Sequence, residues 1–266
     1  MSNACCAAPD ALPIRRRLRR LTALLLLLGR MWLAAVTRAA RLDAARRRAL
    51  AGRWARRLLA LLRIEVRVSG SVPPVDEPLL LVANHVSWLD SYALNAVNGA
   101  RFVAKSEVAA WPVIGTIAAR FGTVFIKRGC YRAAARTVGV LAEALGGGHP
   151  MAVFPEATTS DGRGLRPFYP ALFQAAVRSG AWVQPVAICY RDAAGAPTDA
   201  AAYVGDMSIA DSLRRLLREP RLIVELTFCP PIDSDARTRR ELAAEAREHI
   251  AAALGLVEDR PLQRAA

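Results

Sequence analysis

With 266 residues, 53% of them apolar and 23% charged, the chain can hold one sizeable domain plus an appendage and has a folded, not a disordered, composition. Its formal net charge of +14 is lopsided: residues 1–63 carry 15 arginines against Asp10 and Asp43, while the other 203 residues carry 22 basic and 21 acidic groups. Five cysteines (Cys5, Cys6, Cys130, Cys189 and Cys229), odd in number and without CxxC spacing, argue against a disulfide framework or a structural zinc site.

The N-terminus runs RRRLRR at 15–20 and LTALLLLL at 21–28, with Arg30 interrupting a further apolar stretch to Thr37. Residues 21–37 are at the short limit for a bilayer span, and burying Arg30 in hydrocarbon would cost about 3 kcal/mol. Spanning and lying in the interface both stay open. From 42 to 62, Leu42, Ala45, Ala49, Leu50, Trp54, Leu58, Leu61 and Leu62 recur mostly at spacings of three and four, with arginines between them. That pattern predicts an amphipathic helix whose Leu/Trp face meets an anionic lipid surface, or alternatively the protein's own core. The leucine runs argue against nucleic acid as the partner, because phosphate binding gains nothing from LTALLLLL. Residues 1–63 thus read as a membrane-associating segment and 64–266 as the folded domain.

Past residue 65, strands are expected at 79–83, 101–104, 123–126, 151–154, 183–188 and 222–228, and helices at 88–97, 130–145, 166–179, 208–218 and 237–254. The alternation predicts a single α/β domain with a largely parallel or mixed sheet flanked by helices.

The sharpest chemical feature is NHVSWLD at 84–90, directly after the apolar strand 79–83. His85 stands where a strand gives way to a helix, the edge at which active sites of open α/β sheets gather. Asp90 lies across one turn, placed to bond one ring nitrogen and leave the other free to take a proton from a substrate hydroxyl. The same residues also fit a helix cap, with Ser87 and Asp90 as a capping box. His149, in a Gly-Pro turn, and His249, in a C-terminal helix, carry no such context.

Three further stretches, FGTVFIKRG (121–129), FPEATTSDG (154–162) and VQPVAI (183–188), complete a set. Together with NHVSWLD they resemble, in order and spacing, the four motif blocks of the glycerolipid acyltransferase family. The matches fall on Asn84, His85 and Asp90; on Gly122, Phe125, Ile126 and Arg128; on Phe154, Pro155, Glu156, Thr158 and Ser160; and on Pro185. The resemblance implies transfer of a fatty acyl group from a thioester, acyl-ACP or acyl-CoA, to the hydroxyl of a lysophospholipid. It implies His85 as general base oriented by Asp90, and Arg128, Glu156, Thr158 and Thr159 around the acceptor, where Lys105, near these blocks, with Arg163 or Arg166, is a further source of charge. No metal and no cofactor is called for, and backbone amides near the helix start are the expected oxyanion donors. The implied partners are the lysolipid, an acyl donor that includes acyl carrier protein, and an anionic membrane surface, at the cytoplasmic face of the inner membrane. Two positions depart from the family pattern: Ala157 stands where Gly is usual, and Thr159 where the family has an arginine implicated in holding the acceptor's phosphate. 1-Acylglycerol-3-phosphate is the leading acceptor on the resemblance, with a phosphate-free lysolipid such as lyso-ornithine lipid as the alternative.

Overall fold

A computed structural model describes residues 13–74, 77–126 and 131–256. Among the described residues, seven strands form one sheet: β1 (Ile64–Gly70), β2 (Leu79–Ala83), β3 (Arg101–Lys105), β4 (Val124–Ile126), β5 (Met151–Val153), β6 (Trp182–Arg191) and β7 (Leu222–Phe228), in the order β1-β7-β6-β2-β5-β3-β4. Strands β6, β2, β5, β3 and β4 run parallel; β7 turns antiparallel to β6, and β1 pairs parallel with β7. This is the mixed α/β sheet expected.

The central strand explains its own sequence. All five residues of LLLVA are buried, and they alternate between two cores. Leu79, Leu81 and Ala83 face the layer that holds helices α1 (Ile14–Thr37), α2 (Ala44–Leu61), α3 (Asp90–Val97), α5 (Pro112–Arg120) and α8 (Ile209–Arg218). Leu80 and Val82 face α6 (Tyr131–Gly146), α7 (Gln174–Ser179) and α9 (Arg239–Ala253). A strand covered on both faces reads as an unbroken apolar run, because neither set of side chains meets water. The short α4 (Ser106–Ala109) lies between β3 and α5.

Several expectations shift. Helix 166–179 shortens to a 3₁₀ turn, Pro170–Phe173, followed by α7, because Pro167 and Pro170 disfavour helix in the residues before them. The apolar stripe of the 42–62 helix does not face lipid: Trp54, Ala55, Leu58, Leu59 and Leu62 lie in the core, and Asp43 caps α2 by accepting from Arg46 N at 2.7 Å. Exposed apolar surface is found instead on α1. There Leu24, Leu27, Met31 and Ala35 dock on the core, while Ile14, Leu18, Leu25, Leu26, Trp32, Leu33 and Val36 face outward along the opposite side.

Candidate active site

The parallel strands deliver their carboxyl ends to one edge. His85 follows β2, Phe154 follows β5, and Lys105 ends β3. His85 Nδ1 lies 2.8 Å from Asp90 Oδ2. A carboxylate only accepts, so Nδ1 carries the proton and Nε2 keeps its lone pair for a substrate. Asp90 is fully buried, which would be costly for a charge without partners, and it has four. Oδ2 also accepts the backbone N–H of Val86 (2.8 Å) and Ser87 (2.9 Å), and Oδ1 accepts the Tyr190 hydroxyl at 2.7 Å. Ser87 Oγ in turn accepts from Leu89 N at 3.3 Å. Asp90 therefore holds the imidazole and ties down the turn ahead of α3, but the expected capping box does not form: the N-cap is Leu89, with no side-chain cap bond, and Asp90 N donates to the Ser87 carbonyl. Three amides at this helix start are thereby committed, so the expected oxyanion donors are not those of Val86, Ser87 or Leu89.

The His85 peptide is clamped from a second side. Glu156 Oε1 accepts His85 N (2.8 Å), and Ser160 N donates to His85 O (2.8 Å). The Phe154 ring stacks on the imidazole, centroids 3.9 Å apart and planes 8° from parallel. Asn84, beside the histidine, reaches across to β6, donating to Ile188 O (2.9 Å) and accepting from Ile188 N (2.7 Å). Each polar residue of the first block thus has a partner drawn from a strand or turn remote in sequence.

The residues expected around the acceptor are placed less uniformly. Glu156 is buried, and both its oxygens are taken by main-chain amides, His85 N at Oε1 and Arg166 N (3.0 Å) at Oε2. Its carboxylate faces the His85 turn and not the open side of the site. Burial raises its pKa, and the amides of Arg166 and His85 offset part of that rise. Thr159 is half-buried and donates its hydroxyl to Tyr203 O, while Thr158 is exposed on the same turn. Lys105 is exposed at the same sheet edge. Arg128 lies outside the described residues. Arg163, close in sequence, sits 3.5 Å from Asp199 as an exposed ion pair. Ala157 holds φ of 61°, the left-handed region that favours glycine.

Tyr190 is the participant that sequence reading missed. It is buried, four residues beyond Val186 on β6, and burial, then the Asp90 charge, hold its phenol well above the ordinary pKa, so it remains a donor. The Ser87 side chain hydrogen-bonds the same hydroxyl. The only signal in the sequence was a tyrosine two residues past the expected strand 183–188, on the extension that carries β6 to Arg191.

Comparison with known proteins shows the family and the fold. Residues 63–189 match the family model described as Acyltransferase. A lyso-ornithine lipid O-acyltransferase of Pseudomonas aeruginosa is 43% identical over 202 residues, covering 76% of each chain. A 1-acyl-sn-glycerol-3-phosphate acyltransferase of Neisseria meningitidis is 37% identical over 74% of this chain and 77% of its own. A lyso-ornithine lipid O-acyltransferase of Rhizobium meliloti is also 37% identical, over 75% and 72%. In fold, the crystal structure of the 1-acyl-sn-glycerophosphate acyltransferase PlsC of Thermotoga maritima superposes with a TM-score of 0.65 at 22% identity, over 93% of this chain and all of that one.

Proposed function

This chain belongs to the lysolipid acyltransferase family, and from that premise we propose that it acylates the hydroxyl of a lyso-ornithine lipid at a membrane surface, with His85 as general base. The single observation that carries the chemistry is the orientation of the imidazole, Nδ1 on buried Asp90 and Nε2 unencumbered. Nε2 takes the acceptor hydroxyl proton as the oxygen attacks the thioester carbonyl of acyl-ACP or acyl-CoA. Asp90 steadies the imidazolium that forms. When the tetrahedral intermediate collapses, the C–S bond breaks and the imidazolium returns its proton to the departing thiolate. The substrate alcohol fills the part of a serine nucleophile, so no acyl-enzyme, metal or cofactor is invoked.

Two observations favour a phosphate-free acceptor. Thr159 stands where a phosphate-holding arginine is usual in the family, and its hydroxyl is spent on Tyr203 O. Two of the three relatives described above are named for lyso-ornithine lipid, among them the one at 43% identity. Lysophosphatidate remains the second reading, supported by the Neisseria relative and by the exposed ammonium of Lys105 at the same edge. The test is a panel of both acceptors in mixed micelles with labelled acyl donor and purified protein. Higher kcat/KM on lyso-ornithine lipid is expected, and Thr159→Arg is expected to shift the preference toward lysophosphatidate. Equal or faster wild-type turnover on lysophosphatidate would overturn the choice of acceptor.

The outward side of α1 supports membrane contact. The helix is long and apolar enough to cross a bilayer. Its docked residues, spread from Leu24 to Ala35, hold it against the domain, which fits a helix lying in the interface with its exposed leucines in lipid. Both proposed acyl donors are cytoplasmic molecules, which supports an interface on the cytoplasmic face.

A further inference from the structure

The edge of the sheet opposite His85 carries a cluster that the acyl-transfer reading does not use. A cavity of about 40 Å³ lies between α2, the end of α3 and the start of β3. Its polar lining comprises Arg47 and Arg48 from α2, Arg101 from β3, Asn95 from α3 and Thr123 ahead of β4. Among the described residues, no carboxylate lines it. Arg101 pairs in register with Met151, which pairs with Leu80, and His85 lies five residues further along. At about 3.3 Å per residue that is a separation of roughly 16 Å along the strands. The cavity is a separate place from the base.

The chain holds Arg101 in position deliberately. Gly122, at φ +83°, lies against its stem, and a Cβ there would fall 3.0 Å from Arg101 Cδ and 3.1 Å from Nε. Yet the Arg101 guanidinium has no hydrogen-bond acceptor among the described residues. Arg47 gives Nη2 to Leu42 O at 2.9 Å, while its Nε is buried and unpartnered. Arg47 and Arg101 are like charges beside one small volume, and partial burial strips them of the water that would screen them. Desolvation first, then Arg47 and Arg48, lowers the Arg101 pKa, and desolvation, Arg101 and Arg48 do the same to His149 nearby. A cation cluster of this kind is stabilised by an anion with several acceptor oxygens. Guanidinium forks, with an amide and a hydroxyl beside them, suit the tetrahedral oxygens of a phosphate.

We propose that this cavity binds a phosphate group, held by Arg101 and Arg47 with Asn95 and Thr123. The phosphate can belong to an anionic lipid headgroup or be the free ion. The placement of the α2 wall just past the end of α1 favours the headgroup, since the exposed Trp32, Leu33 and Val36 lie there.

The test uses the full chain in detergent. Inorganic phosphate, titrated against chloride at matched ionic strength, should raise the unfolding midpoint of the wild type saturably. Arg101→Gln should weaken that phosphate affinity at least tenfold, and Thr123→Val by a smaller factor, with acyl transfer in micelles unchanged within about twofold in both. Thr123→Val serves if Arg101→Gln does not fold. The source is separated by flotation with phosphatidylcholine vesicles with and without phosphatidylglycerol. Loss of phosphatidylglycerol-dependent binding in Arg101→Gln, beyond the loss in the exposed control Arg53→Gln, assigns the headgroup; an equal loss in both assigns the free ion. Phosphate protection that is absent in the wild type, or as strong in both cavity variants, would overturn the site.

Discussion

The His85 turn and the turn at 157–159 sit side by side on one sheet edge and are held very differently. At the first, backbone and side chain are both fixed. The His85 N–H and C=O are bonded to Glu156 and Ser160, the ring to Asp90, and Asp90 to three further donors. At the second, Thr158 is exposed, Thr159 has one main-chain bond, and Ala157 occupies a conformation that a residue with a Cβ resists. A general base must meet its substrate within hydrogen-bond reach, and preorganisation of that contact is what accelerates the reaction. Acceptor recognition tolerates looser construction, because a lysolipid headgroup brings its own freedom and is matched by a few contacts. The difference teaches where this scaffold can vary: headgroup preference can change at the open turn without disturbing the base.

The strongest way to break the comparison is to remove the base itself. His85→Ala should cost about 10²–10⁴ in kcat, the usual contribution of a positioned general base. It should leave the fold intact, since Asp90 keeps its amide and Tyr190 partners. Circular dichroism and steady-state acyl transfer together check this; wild-type rates would remove His85 from the mechanism.

Glu156→Gln comes next, and it separates positioning from acceptor binding. A glutamine offers one oxygen where two amides, His85 N and Arg166 N, each need an acceptor. One buried N–H then faces an NH₂ group, at a cost of about 1–3 kcal/mol of stability. The expected kinetic result is a fall in kcat with the acceptor KM nearly unchanged. A rise in KM alone would return Glu156 to the acceptor side. The pH dependence gives a second readout. Burial holds the folded-state pKa of Glu156 above its unfolded value. The native state therefore binds this proton more tightly, and the associated stability is full below the unfolded pKa and lost as pH rises through the folded one. Denaturation midpoints followed upward from about pH 4, near the ordinary carboxylate value, should show that loss in the wild type and lack it in Glu156→Gln.

Tyr190→Phe is gentler and acts at the far side of Asp90. It removes the sole donor described to Oδ1, a hydrogen bond to a charged group worth about 1.5–3 kcal/mol of stability. The carboxylate left with fewer donors attracts the imidazolium proton more strongly. The acid limb of the kcat–pH profile should then move to higher pH, with kcat at its plateau lowered only a few-fold. An unmoved limb would make Tyr190 a packing residue.

The base corner was largely legible because its signal is local: His85 and Asp90 lie five residues apart across one turn, after a strand too apolar to sit anywhere but the sheet centre. What is non-local was not. That Tyr190 reaches Asp90 depends on β6 lying beside β2, and that Glu156 points at a backbone amide depends on β5 lying on the other side. Pairing order of this kind leaves no trace in either segment alone. β1 was missed although IEVRVSG alternates apolar and polar residues, because a strand at the sheet's edge is short of apolar positions. The stripe on α2 left two partners open because an apolar helix face has the same periodicity whether it meets lipid or a protein core; the docking partners α3 and β1 decide for the core.

The smallest expected effect is also the most local. Ala157 sits at φ of 61°, where its Cβ crowds the following carbonyl at a cost of roughly 1–2 kcal/mol. Glycine removes that crowding but gives the unfolded chain more freedom, which returns about 0.5–1 kcal/mol. Ala157→Gly should therefore stabilise the protein by a net amount of about 0.5–1 kcal/mol, a rise of roughly 1–3 °C in Tm for a chain of this length. The turn keeps its shape in this exchange, so Glu156 stays on the His85 amide and kcat should change by less than about twofold. Calorimetry of the two proteins, paired with turnover on one acceptor, checks both halves. A lower Tm would mean that the Ala157 methyl contributes packing that outweighs its backbone strain. A large change in kcat with the Tm raised would mean that the open turn and the base corner are coupled through Glu156, and that headgroup preference cannot vary there without cost to the chemistry.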